Sequence, residues 1–283
     1  MPVRASGPPS RRVRRNRLIV LSAGVAVLLA LSVIGGVVWG ARLTDAAAQT
    51  PPTGTRTASP SATPTPRPAP QSTAAPTAIP PSFDRHARSI DDPASIWVVS
   101  DKKRALNPPD FVPPDLVDVP VAHTWDPQLR AEASAQLVAM FAAASAEAGL
   151  HLASNSAYRS YDSQVSVYNQ DVGAHGQDAA DQSTARPGFS EHQTGLAIDI
   201  GAESGNCSLD ACFANTQEGT WLAQNAYRFG FLLRYPADKV PVTGFEFEPW
   251  HYRYIGVDLA TEMHDTGVTT LEEFFGLPAA PTY

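Results

Sequence analysis

The pattern of hydrophobic and polar positions divides the chain into regions of different character. Leu18 to Ala41 runs without a charged residue, behind a basic cluster of Arg11, Arg12, Arg14, Arg15 and Arg17. Roughly 20 apolar residues cross the ~30 Å hydrocarbon core, so this stretch is long enough to span a membrane. The arginines hold its N-terminal end in the cytoplasm and place the rest outside. The other reading is a cleaved signal peptide with Ala46–Ala48 at the cleavage site, although such apolar cores are usually about 7–15 residues long. Periodicity then disappears: Gln49 to Ser82 is rich in Pro, Thr, Ser and Ala, as in PSATPTPRPAP, and cannot bury a core. The expected organisation is a cytoplasmic basic tail over 1–17, a transmembrane anchor over 18–41, a disordered linker over 42–82 and an extracellular domain over 83–283. Both anchor and signal peptide put that domain outside the cytoplasm.

Within the outer region the pattern predicts helices early and strands later. Phe83–Ala122 reads as an extended arm with a β-rich run at Ile96–Ser100, followed by proline punctuation. Asp126-Pro127 has the form of a helix start. Leu129, Ala133, Leu137, Met140, Phe141 and Ala144 recur at helical spacing up to Gly149, a core-facing stripe. Leu150–Ser156 reads as a strand and Tyr161–Gln170 as a helix capped by Ser160. Ala197–Ile200 reads as a strand with Ile198 and Ile200 on one face and Asp199 on the other. Thr216–Phe229 predicts a helix between Thr216 and Gly230, Phe245–Glu248 (FEFE) a strand, and Leu271–Phe275 a short final helix. His175, beside a Gly173–Gly176 loop, reads as structural or exposed, because an unpaired motif match is usually a false positive.

Composition changes this picture in two respects. The net charge of −7 over 283 residues is asymmetric: from Phe83 onward 12 Lys and Arg face 27 Asp and Glu. An acidic outer domain argues against nucleic acid as a partner, since phosphate binding needs a positive surface. The two cysteines, Cys207 and Cys212, lie in the short run CSLDAC. Outside the cell an even cysteine count suggests a disulfide. Zinc binding by this pair is the rival reading, but no second pair completes such a site.

Candidate chemistry concentrates in SEHQTGLAIDIG (Ser190–Gly201) and EPWH (Glu248–His251). An aspartate flanked by isoleucines is headed for burial, and a buried charge needs a partner such as a metal. Pro249 prevents a regular helix interior at the second motif, so Glu248 and His251 belong where a strand turns. Catalytic zinc sites use three protein ligands of the His, Asp or Glu type and keep one position open. His192, Asp199 and His251 fit that description, and Glu248 is then the natural general base. Each motif alone is weak; together they make zinc a working hypothesis.

Five stretches resemble the VanY-type D-alanyl-D-alanine carboxypeptidases of the M15 zinc peptidases: SAYRSYDSQ (Ser156–Gln164), ARPGFSEHQTGLAIDIG (Ala185–Gly201), WLAQNAYRFG (Trp221–Gly230), FLLRYP (Phe231–Pro236) and EPWHYRYIG (Glu248–Gly256). The resemblance covers about Asp101 to Gly256. It implies Zn2+ held by His192, Asp199 and His251, Glu248 as catalytic acid and base, and Arg159 facing the substrate carbonyl or its oxyanion. It also implies Gln164 and Ser190 as substrate-pocket residues. The fold it implies is α+β, a small antiparallel sheet carrying the zinc site and flanked by helices. The expected activity is removal of the terminal D-alanine from peptidoglycan stem peptides. The alternatives are an L,D-carboxypeptidase or cross-link endopeptidase of the same fold, or a catalytically slow peptidoglycan-binding module.

Overall fold

A computed structural model of the protein describes residues 83–283. The expected tail, span and linker lie outside these residues. No helix among the described residues is long and apolar enough to cross a membrane.

Two antiparallel sheets organise the domain. A small ribbon pairs β1 (Leu116–Asp118) with β2 (Gln128–Arg130). The main sheet has four strands in the order β3 (Leu152–Ser156), β4 (Ala197–Ala202), β6 (His251–Tyr254), β5 (Phe231–Leu233). Among the described residues seven α-helices accompany them: α1 (Ala131–Ala148), α2 (Tyr161–His175), α3 (Gln177–Ser183), α4 (Gln217–Asn225), the single turn α5 (Val240–Thr243), α6 (Val257–Thr266) and α7 (Leu271–Phe275). This is the mixed, small-sheet architecture that the pattern and the resemblance imply.

The register of β4 against β6 decides where the chemistry goes. Asp199 stands opposite His251 and Ile198 opposite Tyr252. Because side chains alternate across a strand, the register sends Ile198, Ile200, Tyr252 and Tyr254 to one face. They join a core with Leu137 and Met140 of α1, Leu222 of α4 and Leu259 and Met263 of α6. The opposite face receives Asp199, His251 and Arg253. Burying the first set at about 25 cal/mol per Å² of apolar surface thereby fixes the position of the second.

Several local expectations need correction. Asp126-Pro127 does not start α1. The chain first pairs as β2, and the helix begins after Arg130, whose side chain makes no capping bond. Ladder pairing with β1 claims the backbone that the capping signal would have made helical. Gly149 does close α1 in the left-handed conformation, at φ 66°.

Ile96–Ser100 is buried but forms no strand. Its carbonyls are met by a side chain: Arg253 Nη2 donates to Ile96 O at 3.1 Å and to Val98 O at 2.8 Å. FEFE forms no strand: Phe245 and Glu248 are buried, Glu246 is exposed and Phe247 lies between. Glu246 N donates to Gln182 O of α3 and Glu248 N to Tyr235 O. Gly173 lies inside α2, which continues to His175, where Nδ1 meets Asp171 Oδ1 at 2.7 Å. β5, α3 and α6 are elements the pattern did not announce.

Candidate metal centre and catalytic cleft

Four local structures deliver the site. A 3₁₀ turn, Glu191–Thr194, ends at Gly195 with φ 64° and carries His192. The middle of β4 carries Asp199. The turn before β6 carries Glu248, and β6 opens on His251. β3 leads through Ala157 to Arg159, just before Ser160 caps α2 by accepting from Ser163 N.

One ligand atom each from His192, Asp199 and His251 lies within 4.8 Å of the others, and all three residues are buried. His192 Nε2 is 3.3 Å from Asp199 Oδ2, and His251 Nδ1 is 3.1 Å from Asp199 Oδ1. Glu248 Oε2 stands 3.7 Å from the same His251 nitrogen.

The outward-facing nitrogens fix the tautomers. His192 Nδ1 meets the Ala157 carbonyl at 2.7 Å. A carbonyl only accepts, so Nδ1 carries the hydrogen and Nε2 presents its lone pair to the centre. His251 Nε2 meets Glu191 Oε2 at 3.4 Å, which leaves Nδ1 facing inward.

Glu191 is the residue the sequence reading missed. It is fully buried yet ionised. Arg234 Nε donates to its Oε1 at 2.8 Å and Arg253 Nη1 at 3.0 Å, while Arg234 also forks onto Glu272 at 2.7 and 3.0 Å. Burial acts against the Glu191 charge, but the two guanidinium groups hold its carboxyl well below the usual range. The arrangement is a carboxylate–histidine pair behind the centre, which orients a metal-ligating ring. The only signal in the sequence is an acid beside His192 and two arginines among aromatics, in LLRYP and HYRYI.

The charges converging here explain the remaining shifts. Burial works against the Asp199 carboxylate, but His192 and His251 beside it keep it well below the ordinary range. Burial pushes the His192 imidazole down. It opposes charge on His251 too, yet hydrogen bonds to Asp199 and Glu191 push that ring up to about 9. Burial, with Asp199 adding to it, pushes the Glu248 carboxyl up to about 8.

Two imidazole nitrogens and a carboxylate converging in a buried space are placed to hold a cation among them. Two nitrogens and one carboxylate oxygen are the donor set that zinc takes in catalytic sites. The residues present therefore fit a zinc ion.

These residues line a cleft of about 220 Å³ together with Arg159, Gln164 and Ser190. Arg159 Nη1 donates to Gln164 Oε1 at 3.0 Å and Nη2 to Ser156 Oγ at 2.8 Å. Gln164 Nε2 in turn donates to Ala185 O at 2.7 Å, so the guanidinium is held by an anchored amide. Ser190 is buried at the cleft wall. The structure thus brings every sequence-nominated site residue to one place. Cys207 and Cys212 form a disulfide in the loop after β4.

A buried nitrogen–oxygen donor set, with a protonatable carboxylate beside it and an arginine across the cleft, has the design of a peptide hydrolase. Comparison with known proteins agrees. The family description "VanY: D-alanyl-D-alanine carboxypeptidase" matches residues 126–257. YodJ of Bacillus subtilis (strain 168) is 41% identical over 192 residues, 66% of this chain and 69% of its own. A D-alanyl-D-alanine carboxypeptidase of Enterococcus faecalis (strain ATCC 700802 / V583) is 38% identical over 144 residues, and the chain spans about half (51%) of its length.

Among solved structures, the LdcB LD-carboxypeptidase superposes with a TM-score of 0.61 at 41% identity, over 65% of this chain and 87% of that one. A mutant of a vancomycin-resistance D,D-pentapeptidase VanY, solved with Zn(II), superposes with a TM-score of 0.53 at 33% identity, over 64% and 98%. The chain belongs to the VanY family of M15 carboxypeptidases. It is a peptidase.

Proposed function

We propose that the chain is a zinc-dependent carboxypeptidase that removes the terminal D-alanine from peptidoglycan stem peptides outside the cell. The observation that carries this reading is the convergence of His192, Asp199 and His251 beside the buried Glu248. We further propose, from the sequence, that residues 1–17 stay in the cytoplasm, 18–41 anchor the chain, and 42–82 space domain 83–283 from the membrane.

Zinc held by His192, Asp199 and His251 would lower the pKa of a water molecule from about 15.7 toward 7 and polarise the scissile carbonyl. Glu248 takes the proton from the attacking water. The same carboxyl then returns that proton to the departing amine. Arg159, held by Ser156 and Gln164, places fixed positive charge against the negative charge growing on the carbonyl oxygen. Such preorganised stabilisation is typically worth ~3–4 kcal/mol. Ser190 and Gln164 shape the wall against which the terminal residue rests.

Replacing Glu248 by alanine tests this assignment. Release of D-alanine should fall by at least about 10²–10⁴-fold, the usual weight of general acid–base catalysis, while zinc content stays stoichiometric. Turnover near the wild-type rate in that variant would remove Glu248 from the mechanism.

A second reading, an L,D-carboxypeptidase, is favoured by the 41% identity to LdcB. It differs in the bond cut. Mass analysis of products from a pentapeptide and a tetrapeptide stem separates the two.

A further inference from the structure

The loop closed by Cys207–Cys212 does more than follow β4. Leu209, at its tip, is 49% exposed. It adopts a left-handed backbone at φ 52°, as does Cys207 at φ 55°. A leucine seldom takes that conformation, and where one does the surroundings must impose it. Here the constraints are the disulfide on one side and, on the other, Asp210, whose Oδ1 accepts from Cys212 N at 2.8 Å. The loop therefore spends both backbone strain and apolar exposure on holding one side chain in place.

That place is the boundary between two cavities. The catalytic cleft of about 220 Å³ has room for a terminal alanine and the bond before it. A second, larger groove of about 730 Å³ adjoins it. The two share Ser183, Thr184, Leu209, Glu248 and Trp250. A peptide with its last residue in the cleft and its preceding residues in the larger groove crosses this boundary. Leu209 and Trp250 are the apolar members of the shared set, and Glu248 is already committed to the chemistry.

Resting on the carboxypeptidase reading, we propose that Leu209 is a specificity-determining residue which packs on the aliphatic part of the substrate residue preceding the cleaved bond. The Cys207–Cys212 disulfide holds it there. Leu209 does not touch the reacting atoms; it sets how tightly an extended peptide is held.

The test uses the full-length chain, zinc-loaded, with a stem pentapeptide ending in D-Ala-D-Ala. Leu209→Ser should raise KM roughly tenfold, the scale of one apolar side-chain contact, with kcat within about twofold. Leu209→Met should restore the wild-type KM. Cys207→Ser/Cys212→Ser should raise KM similarly. A phosphine reductant, oxidised to its oxide as the two cysteines become thiols, should do the same to the wild type and nothing to the double variant. Unchanged KM in Leu209→Ser with D-alanine still released overturns the inference and leaves the carboxypeptidase reading standing.

Equilibrium binding of the same pentapeptide to Glu248→Gln, with and without Leu209→Ser, separates the two claims. If no wild-type peptide is cut but Leu209→Ser still weakens binding, the carboxypeptidase reading fails and Leu209 keeps its role. If the pentapeptide neither binds nor is cut, both fall.

Discussion

Burial forces each side chain of the site to answer for its charge. In the metal-free protein Glu248 answers by holding a proton. Its folded value, about 8 against an ordinary 4.5, means that the folded state binds the proton more tightly than the unfolded state. Its contribution to stability is complete below about pH 4.5 and is lost as pH rises to about 8. In metal-stripped protein, Glu248→Gln should therefore melt above wild type at pH 8, reflecting a gain on the order of a few kcal/mol, and the gap should close toward pH 4.5. Equal melting temperatures at both pH values would contradict that cause.

Glu191 answers with two arginines, so Glu191→Gln should cost about 3–5 kcal/mol in denaturant unfolding by stranding buried guanidinium charge. It should also weaken zinc roughly 10–100-fold in a chelator competition, as loss of a carboxylate behind a ligating histidine does. The difference between these two acids also explains what could be read beforehand. His192, Asp199, His251 and Glu248 were legible because metal hydrolysis draws on few residue types. Glu191, Arg234 and Arg253 were not, because a charged residue in a sequence defaults to solvent and only packing reveals three of them buried together.

Among elements, those whose hydrogen bonds close locally were legible. Ser160 caps α2, Thr216 caps α4, and Gly149 and Gly230 end their turns in left-handed conformations. Thr216→Ala should cost about 1 kcal/mol. Gly219→Ala, in the same helix, should cost more. A Cβ there would lie 2.0 Å from the Phe213 carbonyl oxygen, so the 3₁₀ turn Ala211–Asn215 before α4 has to move. Thermal melts of the two variants side by side give the order, and a Gly219→Ala protein as stable as wild type would show that the turn yields freely. The β-rich run Ile96–Ser100 and the alternating residues of Phe245–Glu248 suggest strands, but a residue pattern is only half of a strand. The other half is a partner for the backbone, and here the partners are Arg253, Gln182 and Tyr235, which no strand pattern singles out.

The molecule as a whole brings the elements together through one register. Pairing Asp199 with His251 across β4 and β6 puts the apolar face on the core and the donors in the cleft, so the core and the site depend on one another. Zinc that binds only the folded state should raise its stability; a chelator should lower the melting temperature of wild type and leave His192→Ala unaffected. The most direct test of the account is D-alanine release from a stem pentapeptide by the full-length chain, first alone, then with chelator, then with zinc restored. The account predicts release that stops with chelator and returns with zinc. Release that continues undiminished after complete removal of metal would contradict it.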